Sequence, residues 1–445
     1  MIGAGTSGFP SAKIAANYNK NVLLIGEGAL GGKCIENGCL PAKAMIHAVK
    51  LYKQTLNLEK FGVSVKKAQL DLDKVLKYTK DLVQRAIESN ETQIVGIANI
   101  DFIRKKGHCI NDSSVEVGNE VYTAPKILIS TGTKPWIPPI EGIHDVNYLT
   151  HETIFNIKKI PKSIAFVGGG FISMEFANVF NSLGSKVYVI DVKNRPIFAA
   201  DETISTTLKK FYEEDGINFI SNSRTTKVSE SSGKIILETN KNQKLEVEKM
   251  MISTGFKANT EGLKLDAAGV NTDDKGNITV NEYLQTTKPN IYAIGDIIGK
   301  TQFTHMAIRE SKVVVFNIFN DDKIPLSFEN IPYAVFTEPL IGSVGKTEQE
   351  LRESGIAYNV AQTEFSSSFR GILMKLRRGI IKLLYNDEER ILGCHMIGEH
   401  ADILIHEIVP LIHLPNGLSI FRKLVHAHPT LSELFRNLQE QLGFF

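Results

Sequence analysis

SIAFVGGGFISMEFANVFNSLGSKVYVID, Ser163 to Asp191, reads as a strand, a glycine turn, a helix and a second strand. The apolar run Ser163 to Val167 delivers the chain to Gly168, Gly169 and Gly170, where a backbone without side chains can approach a pyrophosphate. Ser173 stands where a third glycine is usual, and its small side chain still lets helix and strand pack closely. Asp191 follows Gly168 by 23 positions (191 − 168), at the end of the second strand, placed to accept a hydrogen bond from a ribose 2′-OH. Every part of a dinucleotide-binding βαβ unit is present, which predicts a doubly wound α/β fold.

A second copy of the pattern opens the chain. MIGAGTSG places Gly3, Gly5 and Gly8 in a GxGxxG spacing, then a helix through Ala15 and Ala16 leads to the strand Asn21 to Ile25. Only Met1 and Ile2 precede Gly3, so the first strand is expected to be essentially absent. The reading that follows is that the biological chain starts upstream of Met1, or that its start was misassigned. The ribose carboxylate of this copy falls to Glu27, beside Gly26 at the strand end; an exposed loop acid is the other reading.

GGKCIENGCLPAK (Gly31 to Lys43) carries two cysteines five positions apart. In regular helix their Cα atoms would lie about 8 to 9 Å apart, and a disulfide rarely spans more than about 7 Å. The pair can close only if the segment is not yet regular helix at Cys34, and Gly31, Gly32 and Gly38 supply that freedom. A helix entrance also lowers a thiol pKa. The alternative is two unpaired core cysteines.

Bulk properties narrow the class. The chain has 445 residues, 42% hydrophobic and 22% charged, enough for two to four domains. Net charge is 51 − 49 = +2, which gives no global field for nucleic acid or anionic membrane. No apolar run reaches the roughly 18 residues of a membrane span. Four cysteines with no CxxC pair suggest neither a secreted disulfide framework nor structural zinc, so no metal site is expected. Cys109 and Cys394 read as ordinary small residues. No signal peptide is visible, and a cytoplasmic location is expected.

Further along, Asp71 to Ser89 repeats apolar residues at helical spacing. Lys126 to Gly142 runs from strand through Gly132 into a proline-rich turn. Lys249 to Phe256 is a strand reaching Gly255, and NIYAIGD (Asn290 to Asp296) delivers Asp296 at a strand's carboxyl end, as a ligand contact or a helix cap. From about Pro325 the texture becomes that of an antiparallel sheet followed by amphipathic helices over 401–413 and 429–442. His406 and His413 fall in an apolar pattern and read as structural. His428 is followed by Pro429, with Glu433 five residues on, near enough to orient an imidazole.

Taken in order, these features show that the chain resembles the FAD-containing pyridine nucleotide-disulfide oxidoreductases, which include dihydrolipoamide dehydrogenase, glutathione reductase and mercuric reductase. The resemblance covers essentially the whole chain and is most specific in GGxCxxxGCxPxK and HPTxxE. It implies two Rossmann-like dinucleotide domains and a C-terminal α+β dimerisation domain: FAD-binding over 1–142 and 263–324, NAD-binding over 143–262, interface over 325–445. FAD would be held by Gly3, Gly5, Gly8, Lys43, Gly132, Asp296 and the backbone near Thr304. NAD, with NADP as the alternative, would be held by Gly168, Gly170, Asp191 and Gly255. Cys34 would attack substrate and Cys39 would be the thiolate against the flavin. Lys43 and Glu175 would pair beside the ring, and His428 with Glu433 would move the proton in a homodimer with shared sites. Mercuric reductases usually end in a vicinal cysteine pair and usually lack the HPTxxE histidine; here the end is LGFF and the histidine is present. Both differences favour a dithiol or disulfide substrate, dihydrolipoamide first and mercuric ion second. A flavoprotein kept only for binding would be expected to have lost part of this redox set.

Overall fold

Ile2, 2% exposed, lies between two strands. It bridges Ile25 on one side and Ile129 on the other, both parallel. Its N–H donates to Leu128 O (2.8 Å), and Met1 O accepts from Ile25 N (2.9 Å). No named strand precedes Gly3, as expected, yet Met1 and Ile2 take its place and pair with both neighbours. The computed structural model describes residues 1–66 and 68–443; Phe444 and Phe445 of the LGFF ending lie outside them.

The chain divides into two compact units. The first comprises Met1–Trp136, His151–Lys158 and Gly255–Phe328. Its sheet runs Ile100–Ile103, Val22–Ile25, the Met1–Ile2 segment, Ile127–Ile129 and Ile291–Ala293, all parallel. Leu24, Ile25, Ile129 and Ile291 are all at most 2% exposed, as strands covered on both faces require. The helix Gly8–Asn17 makes the first crossover. Two long helices follow, Cys39–Thr55 and Leu72–Val95. Asp71 caps the second by accepting from Lys74 N (3.1 Å), so the amphipathic pattern read from Asp71 begins where its cap falls.

The second unit comprises Ile137–Thr150, Lys159–Thr254 and the chain from Glu329 onward. Ser163–Val167 is flanked in parallel by Lys186–Ile190 and Lys249–Ile252, with Asn218–Ile220 outermost. Ile164, Ala165 and Phe166 are fully buried beneath the helix Phe171–Ser182. A five-stranded antiparallel sheet follows, in the order Tyr333–Val335, Leu340–Gly345, Ile391–Gly398, Ile380–Tyr385, Asn359–Glu364. The helix expected over 401–413 is instead three short pieces, Ala401–Leu404, Ile405–Glu407 and Leu411–His413. Pro410, which has no N–H to donate, precedes the last of them. The tighter turns still bury Ile405, Ile408 and Leu411 on the sheet, while His406 and His413 are exposed rather than structural.

Lys382, 1% exposed, joins the two halves of this unit. Its ammonium donates to Asp201 Oδ1 (3.0 Å) and Oδ2 (3.1 Å), to Thr203 Oγ1 (2.9 Å) and to Glu348 Oε2 (2.5 Å). Asp201 is fully buried at the cap of the helix Glu202–Glu214. Burial pushes its carboxyl up, but His395, Lys382 and the Glu348 N–H outweigh that and hold it below the ordinary value.

Candidate active site

The glycines before Cys34 set the geometry of the sulfur pair. Gly31 (φ +97°) and Gly32 (φ +64°) turn the chain into a single helical turn, Lys33–Glu36. That turn breaks at Asn37 and Gly38, and a new helix starts at Cys39. A side chain on Gly38 would meet Lys33 O at 2.7 Å and Cys34 Cα at 3.2 Å, so the fold-back needs glycine. Cys34 is thus in helical backbone, and the irregularity expected there lies between the two sulfurs.

Thr304 lies 265 residues beyond Cys39 (304 − 39) and begins the helix Thr304–Phe319. Its Oγ1 is 3.3 Å from Cys34 Sγ and 3.8 Å from Cys39 Sγ. Sequence reading placed Thr304 near the cofactor but gave its hydroxyl no such role. Donation from Cys39 is the main cause that lowers the Cys34 thiol to about 6, with Thr304 and the Lys43 charge assisting and burial opposing. The same bond, with burial, raises Cys39. Within the pair this bond favours the thiolate form of Cys34, the sulfur expected to attack substrate.

Around the first fingerprint the backbone forms a cradle that side chains would fill. A Cβ on Gly3 (φ +109°) would meet Ser130 O at 2.3 Å, and one on Gly8 would meet Gly3 O at 1.8 Å. Gly5 bridges Gly31, bringing the two glycine turns together. Ser7 caps the helix Gly8–Asn17 without a side-chain bond; Phe9 N donates to Gly5 O (3.0 Å) and Pro10 has no N–H, so in the first turn it is the Gly8 N–H that faces a bound anion. Glu27 lines a cleft of about 540 Å³ with Arg104, Lys105 and Lys106, and Lys106 Nζ is 3.5 Å from its carboxylate. Gly132 (φ +66°) has open space where a Cβ would be. Asp296 closes the strand Ile291–Ala293; burial raises it to about 6, opposed by a bond from Thr133 Oγ1 (3.4 Å). Extended glycine backbone, a helix N-terminus and a ribose-reach carboxylate suit a dinucleotide with a pyrophosphate, so these residues fit FAD.

At the second fingerprint, a Cβ on Gly168 (φ +100°) would meet Ser253 O at 2.4 Å, while Gly170 is open. Asp191 accepts from Gly169 N at Oδ2 and from Lys193 N at Oδ1 (2.7 Å), so its carboxylate is fixed at the mouth of the glycine turn. Arg195 is buried and donates to Ala200 O (3.2 Å). Gly255 (φ +113°) belongs to the first unit, where its carbonyl accepts from Trp136 N (2.9 Å). Glu175, on the helix Phe171–Ser182, accepts from Phe336 N (3.0 Å). Lys43 lies in the first unit, one turn into the Cys39 helix.

His428 Nδ1 is 3.0 Å from Glu433 Oε1 and 3.2 Å from Oε2. Glu433 also accepts from Thr430 N (3.1 Å), in a capping box that starts the last helix, and is 5% exposed. The carboxylate is pinned from both sides, while His428's side chain is 61% exposed and Nε2 points away from this bond. A second pair lies two residues upstream: His426 Nε2 is 3.0 Å from Glu407 Oε2, and Ser432 Oγ donates to Glu407 Oε1 (2.6 Å). The HxH spacing was its only sequence signal.

Residues 1–311 match the family described as pyridine nucleotide-disulphide oxidoreductase, and residues 331–439 match the dimerisation domain of that family. The chain belongs to the pyridine nucleotide-disulphide oxidoreductases. It is a flavoprotein oxidoreductase of a family that uses FAD and NAD(P)H. It is 31% identical over 443 residues to a dihydrolipoyl dehydrogenase of Chlamydia muridarum, covering 98% of this chain and 94% of that one. It is also 31% identical over 411 residues to a mercuric reductase of Staphylococcus aureus, covering 91% and 75%. Among solved structures it is similar to the HOCl-induced flavoprotein disulfide reductase RclA from Escherichia coli, with TM-score 0.90, 27% identity and 99% of each chain covered. Among the described residues no helix is long and apolar enough to cross a membrane.

Proposed function

We propose that this protein oxidises a dithiol of the dihydrolipoamide type, passing two electrons through Cys34 and Cys39 to FAD and then to NAD⁺. The observation that carries the reading is the tied imidazole. Glu433 accepts the Nδ1 proton and so leaves Nε2 of His428 as the base a thiol requires. A substrate thiolate attacks Cys34 Sγ of the Cys34–Cys39 disulfide, and Cys39 leaves as thiolate. His428 Nε2 takes the proton of the second substrate thiol, which attacks the first substrate sulfur. The substrate disulfide closes, and Cys34 leaves with the bonding electrons. The Thr304 hydroxyl, 3.3 Å from Cys34 Sγ, can donate to the departing thiolate. FAD, when bound, supplies the two-electron relay between the reduced sulfur pair and the nicotinamide.

In the same reading Lys43 and Glu175 each serve the flavin, and Gly3, Gly5, Gly8, Gly132, Asp296 and the Thr304 backbone hold it, with Glu27 on its ribose. Gly168, Gly170 and Gly255 receive the nicotinamide cofactor. The segments 1–142 and 263–324 are the FAD-binding part, 143–262 the NAD-binding part, and 325–445 the interface. Asp191 favours NAD over NADP. A carboxylate about 4 Å from a 2′-phosphate is opposed by on the order of 4 kcal/mol per unit charge before screening, and buried Arg195 is committed to Ala200. Two copies share their sites: Phe369, beside the His428 ring, is 55% exposed, and Ile372 on the same short helix is 63% exposed, apolar residues suited to a partner subunit.

The second reading, mercuric ion reduction with NADPH, is supported by the equal identity to the Staphylococcus aureus enzyme. One assay separates the two: NAD⁺-linked oxidation of dihydrolipoamide beside NADPH-linked reduction of mercuric ion. The dithiol reading expects the first to have the higher kcat/KM, and the reverse order would reject it.

A further inference from the structure

Glu310 is fully buried in the helix Thr304–Phe319 and takes no part in the chemistry above. Its Oε2 accepts the N–H of Gly295, the residue before Asp296 (2.5 Å). Among the described residues its Oε1 is buried without a hydrogen-bond partner. Burial, with the Asp296 charge adding to it, pushes the carboxyl up to about 7. A buried carboxyl with one idle oxygen is costly, so the single bond it makes marks what it is kept for.

That bond reaches a turn with little room to move. Gly295 has φ +79°, and a Cβ there would meet Ser7 Oγ at 2.7 Å. Ser7 caps the first helix from within the first fingerprint, between Gly5 and Gly8. The hydroxyl of Ser311, next to Glu310, lies 2.8 Å from Ser7 O and 2.8 Å from Ala307 O, so it packs against the Ser7 backbone. One face of a single helix therefore holds both the Asp296 turn and the glycine loop. Its first residue, Thr304, touches both sulfurs about 10 Å away along the axis, from six to seven residues of rise.

We propose that Glu310 is a positioning residue for FAD: by accepting the Gly295 N–H it fixes the turn that presents Asp296, and with Ser311 it locks that turn to the first glycine loop. This rests on the reading that Gly3, Gly5, Gly8 and Asp296 hold FAD. What matters is an acceptor at that reach, not the charge.

The test is the rate of FAD release from purified holoprotein, followed by the rise in free-flavin fluorescence after dilution. Losing one buried acceptor predicts about tenfold faster release from Glu310→Ala. Glu310→Gln, whose amide oxygen still reaches Gly295, stays within about threefold of the unaltered protein. Glu310→Asp keeps the charge but is one methylene short, and releases like Ala. If the alanine variant does not fold, the Gln and Asp variants decide. Release from Glu310→Gln as fast as from Glu310→Asp, or no acceleration in Ala and Asp, would overturn the proposal. Unaltered protein that neither carries nor takes up FAD would overturn the cofactor assignment itself, and the proposal with it.

Discussion

Nδ1 of His428 lies 3.0 Å from Oε1 of Glu433, and the carboxylate that holds it is buried and held in turn by the Thr430 N–H. The order matters chemically. A carboxylate accepts a proton-bearing Nδ1, so the lone pair of the neutral ring sits on Nε2. The His428 bond, with the Thr430 N–H and Arg436, holds Glu433 below the ordinary carboxylate range against burial. It therefore stays ionised, and this orienting contribution is lost only as pH falls through that lowered value. Glu433→Gln can present an N–H to Nδ1 and select the other tautomer. Dithiol turnover should fall about 10²-fold, with a much smaller change in KM. Equal kcat in variant and unaltered enzyme would remove His428 from the proton path.

The sulfur pair makes a separate pH prediction. With Cys34 held at about 6, its alkylation by iodoacetamide in the reduced enzyme should rise with pH to a midpoint near 6, well below the roughly 8.5 of a free thiol. Cys39→Ala, which removes the donor, should move the midpoint up most, since the Cys39 bond is the largest cause; Thr304→Val should move it up less. Flavin spectra locate the other sulfur. If Cys39 faces the ring, Cys34→Ser keeps the long-wavelength band of the two-electron-reduced enzyme and Cys39→Ser loses it. A band lost in the Cys34 variant instead would exchange the two roles.

Much of this site was legible because its signals are local. Gly168 and Asp191 report their own geometry through spacing, as do Cys34 with Cys39 and His428 with Glu433. What stayed hidden is long-range. Thr304 meets the sulfurs only after a return across the sheet, and no pattern near Thr304 announces a sulfur partner. Glu310 looks like any helical acid until the fold buries it against Gly295. The pairing of Met1 and Ile2 was hidden for a related reason: two residues are too short to show a strand period, yet they bridge a neighbour on each side. The 401–413 helix failed in the opposite way, its apolar period real but Pro410 dividing it.

Lys382 gives a stability prediction within the second unit. Lys382→Met leaves the fully buried Asp201 carboxylate without its main counter-charge, and breaking a buried pair from one side costs about 3–5 kcal/mol. Asp201 is lowered in the folded protein, so its contribution is present above its unfolded pKa and lost as pH falls through the lowered value. The urea midpoint of Lys382→Met should drop strongly at pH 7, and the gap from unaltered protein should narrow in acid. Adding Asp201→Asn should recover part of the loss. A single variant as stable as the parent would show that the network is not holding these segments together.

The shared site is tested by complementation. Cys39 and His428 are 389 residues apart (428 − 39), which neither requires nor excludes their meeting within one chain. The C-terminal match to a dimerisation domain, and the exposed Phe369 beside His428, favour their meeting across a two-fold axis. Co-expressing Cys39→Ser with His428→Ala under separate tags gives mixed dimers that two affinity steps isolate. If each site takes its cysteines from one subunit and its histidine from the other, one site of the mixed dimer carries both lesions and the other carries neither. The mixed dimer should then recover about half the activity of the parent, although each homodimer is nearly inactive. If both groups came from one chain, every site would carry a lesion, and the mixed dimer would be no more active than either variant alone.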